Sequence, residues 1–402
     1  MTGWRDELRR LAGEVGGRVR DEVRDAAQAV ARRAFDAVPY TVTPYAGYGT
    51  QTRVLVRGRA QKSDGDLSAT DADSTWRNIV NTIKRMDADP LPHATVRVTV
   101  NGTSREVTCD DEGFFATWVE CEVPLPETAR WHPVSMELVR PSSPDAGSTA
   151  STGEVLVATP AARFGVISDI DDTVIQSRVT SFVQAARTVM LGNARTRLPF
   201  PGVAAFYQAL ERGAGDDGNP IFYVSGSPWN LYDLIGQFFE LQGVPKGPIS
   251  LRDWDVDRAS LGSASRVKYK ENSIREILDM HPAMPFVLIG DSGQQDPEVY
   301  HAIVRDYPSR VLAVYIRNVS ASPERSASIQ KLAADVLAAG STLVLADDTL
   351  AAATHAAEQG WISRDSLGGI GADKRADEGK TGEKVATPEG GKDEGAPTVK
   401  VE

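Results

Sequence analysis

Three patterns of apolar and polar positions follow one another along the chain. In the first, Trp4, Leu8, Leu11, Val15, Val19, Val23, Ala26 and Val30 recur at helical spacing with Arg, Asp and Glu between them. This predicts an amphipathic helix within residues 1–40, weakened at Gly16-Gly17 by the low helix propensity of glycine. From about 50 to 160 short alternating segments take over. RVLVRGR, ATVRVTVNG, REVTC, GFFATWVECEV, VSMELVR and GEVLVAT each suit a strand with one buried face, and Asn101-Gly102 and Glu112-Gly113 are turn signals. TWRNIVNTIKRM fits one inserted helix. Six or so strands at this spacing predict a β-sandwich-like domain over 41–160, read as a scaffold or docking module because nothing in it has a catalytic pattern.

The third pattern begins near 161. FGVISDI, PIFYVSGS, FVLIGDS and RVLAVYIRN are near-continuous apolar runs, as parallel strands covered on both faces require. Helical stretches alternate with them: VAAFYQALE, NLYDLIGQFFELQ, NSIREILDM and DPEVYHAIVRDY. STLVLADDTLAAATHAAEQGW adds a last strand and helix. The expectation is a doubly wound α/β domain with a parallel sheet over 161–363, binding its ligand beyond the carboxyl ends of the strands. Residues 364–402 hold few large apolar side chains and much Gly, Lys, Asp and Glu, which predicts a disordered tail.

Charge and cysteine content narrow the function. A net charge of −11 provides no global positive field for nucleic acid or an anionic membrane. No apolar run approaches a membrane span, and MTGWRDELRR lacks the pattern of a secretion signal, so a cytoplasmic chain without a transmembrane segment is expected. Cys109 and Cys121 are too few for a disulfide framework and read as thiols. The arginines of the first helix (Arg9, Arg10, Arg18, Arg20, Arg24, Arg32, Arg33) permit peripheral membrane contact, but acids are interleaved among them and packing on the protein's own core competes with that reading.

GVISDIDDTVIQS interrupts an apolar run with Asp169, Asp171 and Asp172. Grouped carboxylates repel one another and resist leaving water, so the cluster needs a partner. Each of three strands ends in polar residues: Asp169-Ile170-Asp171-Asp172-Thr173, Ser225-Gly226-Ser227, and Gly290-Asp291-Ser292-Gly293-Gln294-Gln295-Asp296, with Arg266-Val267-Lys268-Tyr269-Lys270 between the last two. The chemistry that suits this set is phosphoryl transfer through an aspartyl-phosphate. Mg²⁺ would offset the charge of nucleophile and phosphate, with Asp169 and Asp291 as its natural ligand pair and Asp296 a direct or supporting ligand. A lysine would place a point charge on the phosphoryl oxygens, Ser225 would donate from its hydroxyl and backbone, and Asp171 would move protons. Asp172 is expected to hold the loop. Asp296 serves equally well as a cap for the helix that begins at Pro297. Gln294 is a substrate contact or a turn residue, and Trp229 and Tyr232 are rim or helix-packing residues.

In order, DIDDTV, YVSGS, the downstream lysine and GDSGQQD resemble the four motifs of the haloacid dehalogenase superfamily of phosphatases. More narrowly, DIDDTV, VSGSPWNLYDL, KENSIREIL and LIGDSGQQDPEVY resemble the catalytic domain of the App1-type phosphatidate phosphatase family over roughly 160 to 320, and the β-rich part resembles the amino-terminal region of bacterial members. The resemblance implies Asp169 as nucleophile and Mg²⁺ ligand, and Asp171 as acid/base that also gives its carbonyl to the metal. It further implies Thr173 as loop support, Ser225 with Gly226 and Ser227 at the phosphate, and Asp291 at the metal. Lys270 suits the family's lysine, four residues before the aliphatic Ile274, with Lys268 as the alternative. The implied activity is hydrolysis of phosphatidate to diacylglycerol and phosphate. Another phosphomonoester (a phosphoprotein, nucleotide or nucleic-acid end) and a non-catalytic binding module on the same fold stay open. A calcium loop fails because its sixth and twelfth positions are Val174 and Thr180. A serine hydrolase fails because VSGSP is not the nucleophile-elbow pattern.

Overall fold

The computed structural model describes residues 40–62, 89–141, 150–174, 200–252, 263–319 and 322–382. The amphipathic helix expected before residue 40, the helix expected at 75–86 and the tail beyond 382 lie outside them. The described residues form an α/β structure with two sheets, one mixed and one parallel.

Strands β1 (Tyr40–Gly49), β2 (Arg53–Lys62), β3 (Thr95–Val100), β4 (Thr103–Thr108), β5 (Phe114–Glu120), β6 (Trp131–Arg140) and β7 (Ala150–Val157) build the mixed sheet in the order β4-β3-β6-β7-β1-β2-β5. Hydrogen bonding runs continuously through all seven, and the sheet curls round one core made by Val42, Val56, Val98, Phe115, Met136 and Val155. The curl brings the edge strands together, so that Arg105 of β4 donates to the Trp118 carbonyl of β5 at 2.8 Å. Sequence patterning misses β1, where Pro44, Gly47 and Gly49 break the strand signal. The proline is tolerated because β7 pairs with β1 only over Gly47–Gly49, which leaves Pro44 bonded through β2 alone.

The parallel sheet holds β8 (Gly165–Ser168), β9 (Ile221–Pro228), β10 (Ile249–Arg252), β11 (Phe286–Asp291), β12 (Val311–Arg317) and β13 (Leu343–Ala346), in the order β10-β9-β8-β11-β12-β13. Its apolar strands need cover on both faces, and two cores supply it. On one face lie α1 (Val203–Arg212), α2 (Tyr232–Gln242), α6 (Thr349–Glu358) and α7 (Ser366–Gly382), through Tyr207, Ile235, Ala353 and Ile370. On the other lie α3 (Ser263–Met280), α4 (Asp296–Asp306) and α5 (Pro323–Ala338), through Ile274, Tyr300, Ile303 and Ile329. Tyr48, Leu55 and Leu156 of the mixed sheet join this second core.

Two expectations are corrected here. The helix expected to begin near Asn272 starts at Ser263, so Lys268 and Lys270 lie inside α3 instead of before it. The expected tail from 364 begins instead with α7, whose Ile370 is buried and whose acids cap another helix. The first turn of α1 has no acid and no side-chain cap of its own. Gly202 N–H donates to Asp377 at 3.1 Å and Ala205 N–H to Asp373 at 3.4 Å, placing carboxylates at the positive end of α1. Hydrophobicity carries no trace of such a device.

Candidate active site

In parallel sheets of this kind ligands bind beyond the carboxyl ends of the strands, where the strand order reverses. Here the reversal falls between β8 and β11, flanked by β9. The three polar strand ends singled out in the sequence meet at this point.

Asp169 leaves β8 almost fully buried, with its N–H donating to the Ile289 carbonyl at 2.9 Å. Lys270, in the second turn of α3, reaches across to Asp169 Oδ1 at 2.9 Å and also pairs with Asp296. Asp291, at the end of β11, and Asp296, at the start of α4, are completely buried. One carboxylate oxygen from each of Asp169, Asp291 and Asp296 falls within 4.8 Å of the other two. Three acids thus face one ammonium. Burial drives the Asp169 carboxyl well above the usual range; Lys270 opposes this, while Asp296, Asp171 and Asp291 add to it. Burial, with Asp296 beside it, pushes Asp291 up to about 7 against the pull of the Gln294 amide. Burial alone would depress Lys270, but Asp169 and Asp296 overcome it and raise the ammonium's pKa. Asp291 Oδ2 finds no hydrogen-bond partner among the described residues. A buried carboxylate oxygen left this way, beside two more hard oxygen donors, has the composition of a site for a small divalent cation.

Asp171 is half-buried and faces β9. Ser225 and Ser227 both donate to its Oδ2, at 2.7 and 3.1 Å, and the Ser227 N–H donates to Ser225 Oγ at 2.9 Å. Gly226 lies between them, half-buried. Thr173 closes the β8 turn by donating to Asp169 Oδ2 at 3.4 Å. Asp172 takes a left-handed φ of 57°, a conformation that Asp tolerates better than most side chains, and this bends the chain directly after Asp171.

The β11 loop ties these parts together. Gly293 and Gln294 N–H groups donate to Asp291 Oδ1 at 2.6 and 2.9 Å, and Gln294 Nε2 donates to the Asp171 carbonyl at 3.1 Å. Asp296 does not cap α4: the residue before the helix is Gln295, and no side chain caps there. Its Oδ2 instead accepts from Asp291 N–H at 3.0 Å. Gly290 permits this approach, since a side-chain carbon there would lie 2.5 Å from Asp296 Oδ2. Sequence reading missed Arg325 of α5, which grips the loop from behind. Its Nε donates to the Ser292 carbonyl at 2.8 Å, one NH2 donates to the Gln294 carbonyl at 2.6 Å, and the guanidinium forks onto Glu298. The weak apolar pattern of PERSASIQKLAADVLA hid the helix that carries it.

Lys268 is left outside the cluster. It lies exposed two residues before Lys270, so the helical rotation of about 200° turns it to the far side of α3. Trp229 and Tyr232 are interdomain contacts. Tyr45 of β1 stacks on Trp229 with centroids 5.2 Å apart and lies 4.3 Å from Tyr232, whose hydroxyl accepts from Ala46 N–H at 2.7 Å. Arg57 of β2 donates to Ser250 at 3.0 Å and pairs with Glu276 at 3.5 Å, fixing the mixed sheet against β10 and α3.

Residues 164–318 match the family described as "Phosphatidate phosphatase APP1, catalytic domain". Phosphatidate phosphatase APP1 of Saccharomyces cerevisiae is 35% identical over 159 residues, which is 39% of this chain and 26% of that protein. An uncharacterized protein of Schizosaccharomyces pombe is 28% identical over 156 residues, 38% of this chain and 25% of its own. The chain therefore spans about a quarter of the length of these relatives. Among solved structures, a carbohydrate acetylesterase from Xanthomonas citri covers 72% of this chain and 71% of its own at 12% identity, but its TM-score of 0.24 carries no argument. The matched segment holds every clustered residue from Asp169 to Asp296, and over residues 164–318 the chain is similar to the APP1 phosphatidate phosphatase catalytic domain.

Proposed function

We propose that this protein is a Mg²⁺-dependent phosphatase working through an aspartyl-phosphate on Asp169, on a doubly wound domain of the haloacid dehalogenase type, with phosphatidate as substrate. The observation that carries the reading is the buried set of Asp169, Asp291 and Asp296 around a single Lys270, within a segment of this family. The donors fit the cation: Asp291 Oδ2 has no partner among the described residues, and the Asp171 carbonyl retains a lone pair beyond its bond from Gln294. Asp169, Asp291 and the Asp171 carbonyl would hold Mg²⁺, while Asp296, with both oxygens engaged, supports them by fixing Lys270 and the β11 loop. Bound there, Mg²⁺ would supply charge neutralisation to the nucleophile and the phosphoryl oxygens.

The chain's own residues supply the rest. An Asp169 oxygen attacks phosphorus, a P–O bond forms to the carboxylate, and the bond from phosphorus to the alcohol oxygen breaks. Asp171 gives that oxygen its proton, then takes one from water as the water attacks phosphorus and frees Asp169 and phosphate. Ser225 and Ser227 hold Asp171 in place through its Oδ2. Lys270 keeps Asp169 oriented and partly neutralised. No helix among the described residues is long and apolar enough to cross a membrane, so the lipid would be met at the bilayer surface. The test is phosphate release from vesicles containing phosphatidate, beside phosphopeptide, nucleotide and phosphorylated oligonucleotide panels, with Mg²⁺ or with chelator. Release from phosphatidate alone, and only with Mg²⁺, is expected. Equal turnover of soluble esters would remove the lipid assignment, and turnover in chelator the metal.

A further inference from the structure

The charges of the buried set leave the phosphoryl group short of a cation. Asp169, Asp291 and Asp296 carry three negative charges when ionised, and Lys270 returns one. A divalent cation balances the remaining two, so a phosphate dianion would enter a site with no positive charge to spare. Lys270 makes up only part of the difference, because two carboxylates already take two of its three N–H donors and share its charge. The hydroxyls of Ser225 and Ser227 are committed to Asp171.

Arg266 supplies what is missing. It sits four residues before Lys270 on α3, so the two share one face of the helix, with Arg266 a turn nearer the helix start. Its stem lies across Gly226: a side-chain carbon built there would be 3.5 Å from Arg266 Cδ and 3.7 Å from its Cγ. That contact fixes the stem against the carboxyl end of β9, while the residue as a whole remains exposed. Among the described residues no carboxylate pairs with its guanidinium, unlike Lys270, Arg275, Arg325 and Lys374, each of which has an acidic partner.

Resting on the phosphatase reading above, we propose that Arg266 is a substrate-binding residue whose guanidinium takes the phosphoryl oxygens of the phosphomonoester at the mouth of the crevice. The planar fork suits two oxygens of one phosphate, which a lysine at the same place would meet only as a point charge. Recognition of this kind favours a monoester dianion over a diester, whose second substituent removes one of those oxygens and one charge.

Inorganic phosphate is the probe, titrated calorimetrically into the full chain loaded with Mg²⁺. Arg266→Gln is expected to weaken phosphate binding roughly tenfold to a hundredfold, the loss of one charge-assisted contact, and Arg266→Lys to lie between. Affinity for Mg²⁺ alone and the melting temperature should match wild type, and KM for a phosphomonoester should rise by a larger factor than kcat falls. Lys331→Gln, which removes an equal charge from an exposed position of α5, is the charge control. Phosphate affinity in Arg266→Gln within about twofold of wild type, or an equal loss in Lys331→Gln, would overturn the assignment while wild-type turnover keeps the phosphatase reading. Wild-type protein that neither binds phosphate nor turns over any ester would overturn both.

Discussion

The two ends of the parallel sheet both bury polar groups, and they treat them in opposite ways. At the amino end Asn219 and Arg310 spend their bonds on the backbone. Asn219 is completely buried, accepting from the N–H groups of Arg163 and Phe164 at 2.9 and 3.3 Å and donating to the Leu210 carbonyl at 2.9 Å. Arg310 donates to the carbonyls of Leu278, His281 and Met284, at 3.1, 2.6 and 3.0 Å from one NH2. That guanidinium adds a donor to the last carbonyls of α3 and its loop, of which Leu278 and His281 also accept from the His281 and Met284 N–H groups at 3.3 and 3.0 Å. At the carboxyl end, acids outnumber their cation and Asp291 keeps an oxygen without a partner among the described residues. Satisfied burial holds the fold. Unpartnered buried atoms occur at both ends, at His281 Nε2 as at Asp291 Oδ2, but the like charges pressed together lie at the carboxyl end, where Asp169, Asp291 and Asp296 converge.

The comparison breaks or sharpens under substitution. The largest effect is expected from Asp169→Asn, which should cut phosphatase activity roughly a thousandfold or more by removing the proposed nucleophile. Its metal-free melting temperature should hold or rise, because one of the crowded carboxylates is neutralised. A fall in melting temperature with activity retained would reverse the distinction between the two ends. Arg310→Ala should do the opposite, losing about 2–4 kcal/mol in denaturant melts as the Met284 carbonyl loses its guanidinium donors and those of Leu278 and His281 keep only their backbone bonds, with kcat little changed.

Arg325→Ala tests the carboxyl end one step removed from the acids. It frees the Ser292 and Gln294 carbonyls, loosening the loop that aims Asp291, and should weaken Mg²⁺ binding roughly tenfold to a hundredfold in a direct titration. The smallest effect belongs to His281, beside Arg310 at the amino end. Burial, and then the Arg310 charge, lower its pKa from 6.5 to about 4, so the imidazole folds neutral. Between those values the unfolded chain binds the extra proton, and stability is lost as pH falls through that window. The cost is on the order of 2 kcal/mol between about pH 7 and pH 5, and His281→Leu should flatten that part of the stability profile.

The sequence shows the carboxyl end more plainly than it shows the scaffold. DIDDTV, YVSGS and GDSGQQD stand at the ends of apolar runs, and a carboxylate at the end of a buried strand is conspicuous in any hydropathy pattern. The parallel strands announce themselves for the same reason, being apolar on both faces. What escapes is held by polar contacts. The first two turns of α3 carry Arg266, Lys268 and Lys270 where a buried helix face would be apolar, so the apolar periodicity starts later than the helix. Arg325 contributes by bonding to carbonyls, which no residue pattern encodes. The α7 helix is hidden by its glycines and acids, although Asp373 and Asp377 are what dock it. Trp229 and Tyr232 were visible, but their partner Tyr45 lies in a strand disguised by Pro44.

The central claim is that Asp169 becomes covalently linked to phosphorus during turnover. Acid quench of the full chain during hydrolysis of phosphatidate, followed by peptide mass spectrometry, tests this most directly. The account predicts a phosphoryl adduct on the peptide that contains Asp169, present with Mg²⁺, lost in chelator, and absent from Asp169→Asn. An adduct on any other residue, or turnover that persists in Asp169→Asn, would contradict it.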